Sequence, residues 1–177
     1  MRILLALLFC TVGVSPAFAQ SPSPDRVATS FYKLYLQLKP RGIPDAVTRK
    51  EFKPYLTNSL AGQLAQAERA EVAHRKATQN LEPPLLEGDP FSSLFEGATS
   101  YKVNSCTVEG VRAYCDVDLA FVAEAGGRPT TWTDKLALVN RVGRWWVDDV
   151  QFGGAWDFAQ HGSLRASLRD VIRQARN

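Results

Sequence analysis

An α+β fold is predicted by three features of the chain. The apolar period changes from helical to alternating near Ser100, the turns after that point are of hairpin length, and a helical stripe returns at the C-terminus. Turns as short as Glu109-Gly110, Gly126-Gly127 and Val142-Gly143 join antiparallel neighbours, because a parallel crossover needs a dozen residues or more. The expected architecture is therefore a set of N-terminal helices on a four-stranded antiparallel meander, followed by a C-terminal amphipathic helix.

The chain opens on a leader. Met1-Arg2 is a positive start, Ile3 to Val14 is an apolar run too short to span a bilayer, and Ala17-Phe18-Ala19 has the small-x-small form of a signal-peptidase site. Residues 1–19 are read as a signal peptide cleaved after Ala19, with residues 20–177 forming a single domain that is periplasmic or secreted. A lipid anchor on Cys10 is the alternative, and bulky Phe9 before that cysteine argues against it. The chain of 177 residues carries a formal charge of +3, which falls to +2 when Arg2 leaves with the leader. So small a charge, mixed evenly along the chain, excludes a nucleic-acid partner, and no other apolar run suits stable membrane insertion.

Export decides the reading of the cysteines. With Cys10 removed, Cys106 and Cys115 remain, and an even number in an oxidising compartment favours a disulfide. A four-residue turn of Glu109 to Arg112 would place the two directly opposite on adjacent strands. A tighter turn at Glu109-Gly110 would leave them diagonal. A redox role lacks a Cys-x-x-Cys arrangement, and a metal is not expected, because His74 and His161 are isolated and no spacing fits zinc.

Helix signals fill the first half. Ser23-Pro24-Asp25 starts a helix in which Val27, Phe31, Leu34, Tyr35 and Leu38 form one stripe, ended by Pro40-Arg41-Gly42. A second helical region follows Pro44 and breaks near Pro54. Thr57 or Asn58 then caps a longer helix bearing Leu60 and Leu64, with Glu71 four residues before Arg75. Gln79 to Gly88 is read as a loop, and Asp89-Pro90-Phe91 as the start of a short helical turn reaching Glu96.

Four strands are expected near residues 100–108, 111–124, 130–141 and 144–152. Beyond Gly153-Gly154, Ser163 caps a last helix whose stripe is Leu164, Leu168, Val171 and Ala175. Arg165, Arg169, Arg173 and Arg176 line a second face of it. Lacking Trp or Phe in the stripe, this helix is expected to present its arginines to solvent and not to a membrane.

This order of elements, with Phe31-Tyr32, Gly88-Asp89-Pro90-Phe91 and Gly143-Arg144-Trp145-Trp146-Val147-Asp148-Asp149-Val150, resembles the exported bacterial family called domain of unknown function 3828. The resemblance runs from about Asp25 to Phe152. It implies a place in the nuclear-transport-factor-2-like superfamily, a cystatin-like α+β fold whose curved sheet wraps the helices into a cone. That superfamily holds enzymes such as ketosteroid isomerase and scytalone dehydratase beside domains that only bind, so the fold does not choose a function. No catalytic residue carries over.

The candidate site residues come from the strands. In an unbroken strand the neighbouring Asp148 and Asp149 point to opposite faces and cannot act as a paired acid and base. Skipping one residue there brings Trp145, Val147, Val150 and Phe152 into phase, so a β-bulge at Asp148-Asp149 is the preferred reading. Trp132, Trp145, Trp146 and Asp148 are the binding candidates, and Asp134 and Asp149 are the candidate general bases. Asp116 and Asp118 are two apart and face the same way, as do Trp132 and Asp134, and each pair is read first as the solvent-facing side of the sheet. No nucleophile triad or phosphate loop is present. The expected function is a non-catalytic module that holds a small apolar ligand or a protein partner, without a cofactor. The alternative is an isomerase or dehydratase using an aspartate base.

Overall fold

The structure, a computed structural model, describes residues 21–175. The leader, its cleavage point, Cys10 and Arg176 lie outside the described residues.

Helix α1, Pro24–Leu38, begins with Pro24 in its first turn and Asp25 beside it, where a missing N–H and a negative charge both suit the helix N-terminus. Ser23 occupies the cap position without a side-chain capping bond. The helix stops at Lys39, whose left-handed backbone (φ 44°) turns its N–H onto the Tyr35 carbonyl. The buried face is Val27, Ala28, Phe31, Tyr32 and Tyr35, while Leu34 and Leu38 are only half-buried. That corrects the predicted stripe by a small rotation, and aromatic packing explains it. Phe31 meets Phe52 and Phe91 at 5.5 and 5.6 Å, and Tyr32 stacks on Tyr101 at 5.7 Å.

Asp45 caps the short helix α2, Ala46–Phe52, by accepting the Thr48 N–H at 2.8 Å. Pro54 then breaks the chain, and the Thr57 hydroxyl caps α3, Asn58–Ala77, by accepting from Leu60 N at 3.1 Å. Leu60, Leu64 and Ala67 face the core. Glu71 bonds Arg75 as the spacing predicted and also accepts the Leu85 N–H at 2.9 Å, which fastens the following loop to the helix. The expected helical turn at Asp89 does not form. Asp89 instead takes the Phe91 N–H on its own carboxylate at 2.7 Å, and segment 89–99 runs as a series of turns.

The sheet follows as β1 (Ser100–Glu109), β2 (Arg112–Phe121), β3 (Thr130–Arg141) and β4 (Arg144–Gln151), antiparallel in the order β1-β2-β3-β4. Strand β2 ends three residues earlier than predicted, with Glu124 already in the turn that bonds Gly127. On the face toward the helices lie Ala113, Cys115, Val117 and Leu119, then Trp132, Asp134, Leu136 and Leu138, then Val147 and Val150. Glu109 pairs with Arg112, so Cys106 stands directly opposite Cys115 with Cα atoms 4.0 Å apart, and the two form a disulfide.

Register slips occur between Val103 and Cys106 on β1 and at Asp148 on β4, where Leu138 pairs with Val147 but Ala137 pairs with Asp149. The bulge expected at Asp148-Asp149 is thus present, and it puts both Val147 and Val150 in the core. Between these edges the β2–β3 ladder pairs ten consecutive residues without a slip. The strong curl of a cone is accordingly absent, because the devices that bend a sheet are confined to its outer strands.

Helix α4, Leu164–Gln174, is capped by Ser163, buries Leu164, Leu168 and Val171, and packs against α3 and β4. Ala175 sits at its C-cap, outside the buried stripe. Among the described residues no helix is long and apolar enough to cross a membrane.

Candidate functional site

Polar groups gather at the end of the sheet where β1 begins and β4 ends. Asp134 lies on the core face of central strand β3, opposite Val117, and is wholly buried, with Trp132 buried beside it, which corrects the solvent-facing reading of this pair. A carboxylate there is costly unless its oxygens are matched by donors. Four donors match them. Oδ2 accepts from Ser93 N at 2.9 Å and Trp132 Nε1 at 3.1 Å, while Oδ1 accepts from Gly153 N at 2.9 Å and from the Ser93 hydroxyl. Gly153 is required for this approach, since a Cβ there would run into the Thr133 carbonyl. Ser93 Oγ in turn accepts from Gly154 N at 3.0 Å. One side chain therefore holds the loop after α3 and the loop after β4 against the sheet.

A second buried carboxylate stands nearby. Asp89 accepts from the Tyr35 hydroxyl at 2.8 Å, and that hydroxyl accepts from Ala98 N at 2.8 Å. Burial pushes the Asp89 carboxyl up to about 7, against the Phe91 N–H and the Tyr35 hydroxyl, which favour its charged form. Burial and the neighbouring Asp89 raise the Tyr35 phenol. A cleft of about 180 Å³ opens beside the pair, lined by Tyr35, Lys39, Arg41, Asp89, Glu96 and Phe121 among others. The Tyr32 hydroxyl is buried next to this cluster and has no hydrogen-bond partner.

The aspartates of β4 do different work. Asp148, pushed out by the bulge, accepts from Thr57 Oγ1 at 2.8 Å and pairs with Arg165 at 2.7 Å. The same Arg165 donates through Nε to the Asp148 carbonyl at 2.6 Å, and Asp149 accepts the Arg165 backbone N–H at 3.0 Å. Arg165 is therefore turned inward onto the bulge and Gln63, which corrects the expectation that it joins a solvent-facing row. Its removal would strand the partly buried Asp148, so this pair positions α4. Of the other described members of that row, Arg169 lines a cleft between α3 and α4, and Arg173 pairs with Asp170 at 2.8 Å.

The sequence candidates do not converge on one place. Trp132 is buried, bonded to Asp134 and packed edge-on to Trp156 at 5.9 Å. Trp145 is half-buried against the core. Trp146 is on the opposite face, with the Arg144 guanidinium 4.1 Å above its ring. Asp116 pairs with Lys135 on the outer face, and Asp118 accepts from Thr133 there. Tyr35, Asp89, Ser93 and Arg165 were not anticipated as a polar framework. Asp89-Pro90 carried a signal, but it reads equally as a helix cap. Among the described residues no three His, Cys, Asp or Glu side chains are grouped to hold a metal ion.

No family model matches the chain, and no solved structure matches it. Among curated proteins it is similar to the uncharacterized lipoprotein YbjP of Escherichia coli (strain K12). The two are 28% identical over 175 residues, covering 94% of this chain and 92% of the relative.

Proposed function

We propose that this protein is exported to the cell envelope and works there by binding, without catalysing a reaction. The observation that carries the reading is Asp134, whose two oxygens are already shared among four donors inside the fold. A general base needs a lone pair within reach of a substrate proton, and this carboxylate offers none. Asp149 spends one oxygen, Oδ1, on the N–H groups of Val150 and Arg165. Export is supported by the leader, by the Cys106–Cys115 disulfide and by a relative named a lipoprotein. The element order supports the assignment to the domain-of-unknown-function 3828 branch of the nuclear-transport-factor-2-like superfamily.

One observation favours the enzymatic alternative, and it lies away from Asp134 and Asp149. Asp89, its carboxyl near neutrality beside Tyr35 and an open cleft, is the group best placed for acid–base work of the isomerase or dehydratase kind.

Intact mass spectrometry of the protein recovered from an expressing bacterium tests export. A chain beginning at Gln20, or one carrying lipid on Cys10, supports it, and a full-length chain with its leader in the cytoplasm contradicts it. Native mass spectrometry of the same sample reads any co-purified small molecule. Turnover of an isomerisable ketosteroid that is lost in Asp89→Asn would overturn the non-catalytic reading.

A further inference from the structure

The opposite end of the sheet has a different chemistry. The β1–β2 and β3–β4 turns lie side by side there, joined by a bond from Asn140 N to the Val111 carbonyl at 2.7 Å. Val111 is 64% exposed and Val142 is fully exposed at the tips. Val142 also has a left-handed backbone, φ 53°, followed by Gly143 at φ 75°. A β-branched residue is a poor choice for that conformation, where Asn, Asp or Gly fits a hairpin turn. Both solvation and backbone energy therefore disfavour valine at position 142.

Charge at these turns is one-sided. Arg112, Arg141 and Arg144 are exposed against the single acidic Glu109. Trp146 lies beneath Arg144 and, with Val142, Arg141 and Leu56, walls a cleft of about 330 Å³. Exposed aliphatic tips, a ring of guanidinium groups and an amphipathic indole behind them match a bilayer surface layer by layer: acyl boundary, phosphates, headgroups.

Helix α1 is oriented toward the same end. Helix α1 runs antiparallel to β1, since Tyr35 near its end bonds Ala98 just before the strand, and Thr29, six residues earlier, bonds Tyr101. The N-terminus of α1 thus points along the direction in which β1 climbs toward the valine tips. Were the chain held by lipid on Cys10, this end would face the membrane.

We propose that the paired hairpin turns dock on an anionic phospholipid surface, with Val111 and Val142 entering the interface and Arg112 and Arg141 engaging phosphate. This rests on the envelope location above and adds an orientation to it. Such contact is reversible and shallow, and no segment inserts across the bilayer.

The test uses the exported protein with vesicles of phosphatidylethanolamine and phosphatidylglycerol, and with neutral phosphatidylcholine vesicles as the comparison. Bound fraction and quenching of tryptophan by brominated phosphatidylglycerol are both read, the second reporting depth whatever else holds the chain. Wild type is expected to bind the anionic vesicles and to be quenched, with Trp146→Phe removing most of the quenching. The double variant R112Q/R141Q is expected to bind about 30-fold more weakly. Val142→Asn is expected to lower binding and quenching while raising the melting temperature, a combination that a purely structural valine would not give. Equal binding and quenching in all variants, or no quenching of wild type, would overturn the proposal. The mass of the N-terminus separates that result from a failure of export.

Discussion

The two ends of the sheet handle exposure in opposite ways. At the start of β1, polar side chains are buried and nearly every one is matched: Asp134 by four donors, Asp89 by Tyr35 and the Phe91 N–H. At the hairpin turns, apolar side chains are exposed and one of them sits on a backbone that disfavours it. Satisfied burial adds rigidity and leaves little free to react. Unsatisfied exposure is tolerated in a monomer only as scattered residues or as a contact surface, and here it is grouped with arginines. In this fold the buried polar residues mark construction, and the misplaced apolar ones mark contact.

Phe31→Ala removes a ring packed against Phe52 and Phe91 and should lower stability by about 3–5 kcal/mol in urea denaturation. A much smaller loss would mean that α1 can slide over the sheet, and with it the alignment of Tyr35 and Asp89.

Asp89 gives the buried end a pH signature. Its folded carboxyl lies near 7 against an ordinary 3.8, so between those values the folded chain holds a proton that the unfolded chain releases. The resulting stability is fully present below pH 4 and is lost as pH rises through 7, a fall on the order of a few kcal/mol. Asp89→Asn should flatten that slope. An unchanged slope would move the titration to another group.

The disulfide ties edge strand β1 to its neighbour β2 near the hairpin end. Replacing Cys106 and Cys115 by serine should cost about 2–3 kcal/mol, because the loop the bond closes is short. Thiol titration of the denatured, unreduced exported protein should find no free thiol on this pair. The smallest effect has the opposite sign: Val142→Asn should stabilise by about 1 kcal/mol by relieving the left-handed valine.

Much of this was readable in the sequence where one local rule acted alone. The hairpin lengths set the meander, Thr57 or Asn58 and Ser163 marked the helix starts, and the phase of Trp145, Val147, Val150 and Phe152 favoured a bulge at Asp148-Asp149. The polar framework was not readable, since its partners are far apart in the chain. Ser93 and Asp134 are 41 residues apart, and Tyr35 and Asp89 are 54. No periodicity links such positions. Parity put Asp134 on the same face as Trp132, but a polar aspartate reads as the solvent side of a one-sided sheet, and nothing local showed that this face is the buried one. The expected cone failed for a related reason, because curvature depends on where slips fall between strands, and the β2–β3 ladder has none.

The most direct measurement is the stability of Asp134→Asn by urea denaturation, read beside the folded-state spectrum. Asn keeps the shape but brings an N–H₂ group against donors that need an acceptor. If the carboxylate is a structural tie, the variant should lose about 2–4 kcal/mol. A variant as stable as wild type would show that these four bonds are not what the carboxylate is for. It would return Asp134 to the list of groups free to act on a ligand.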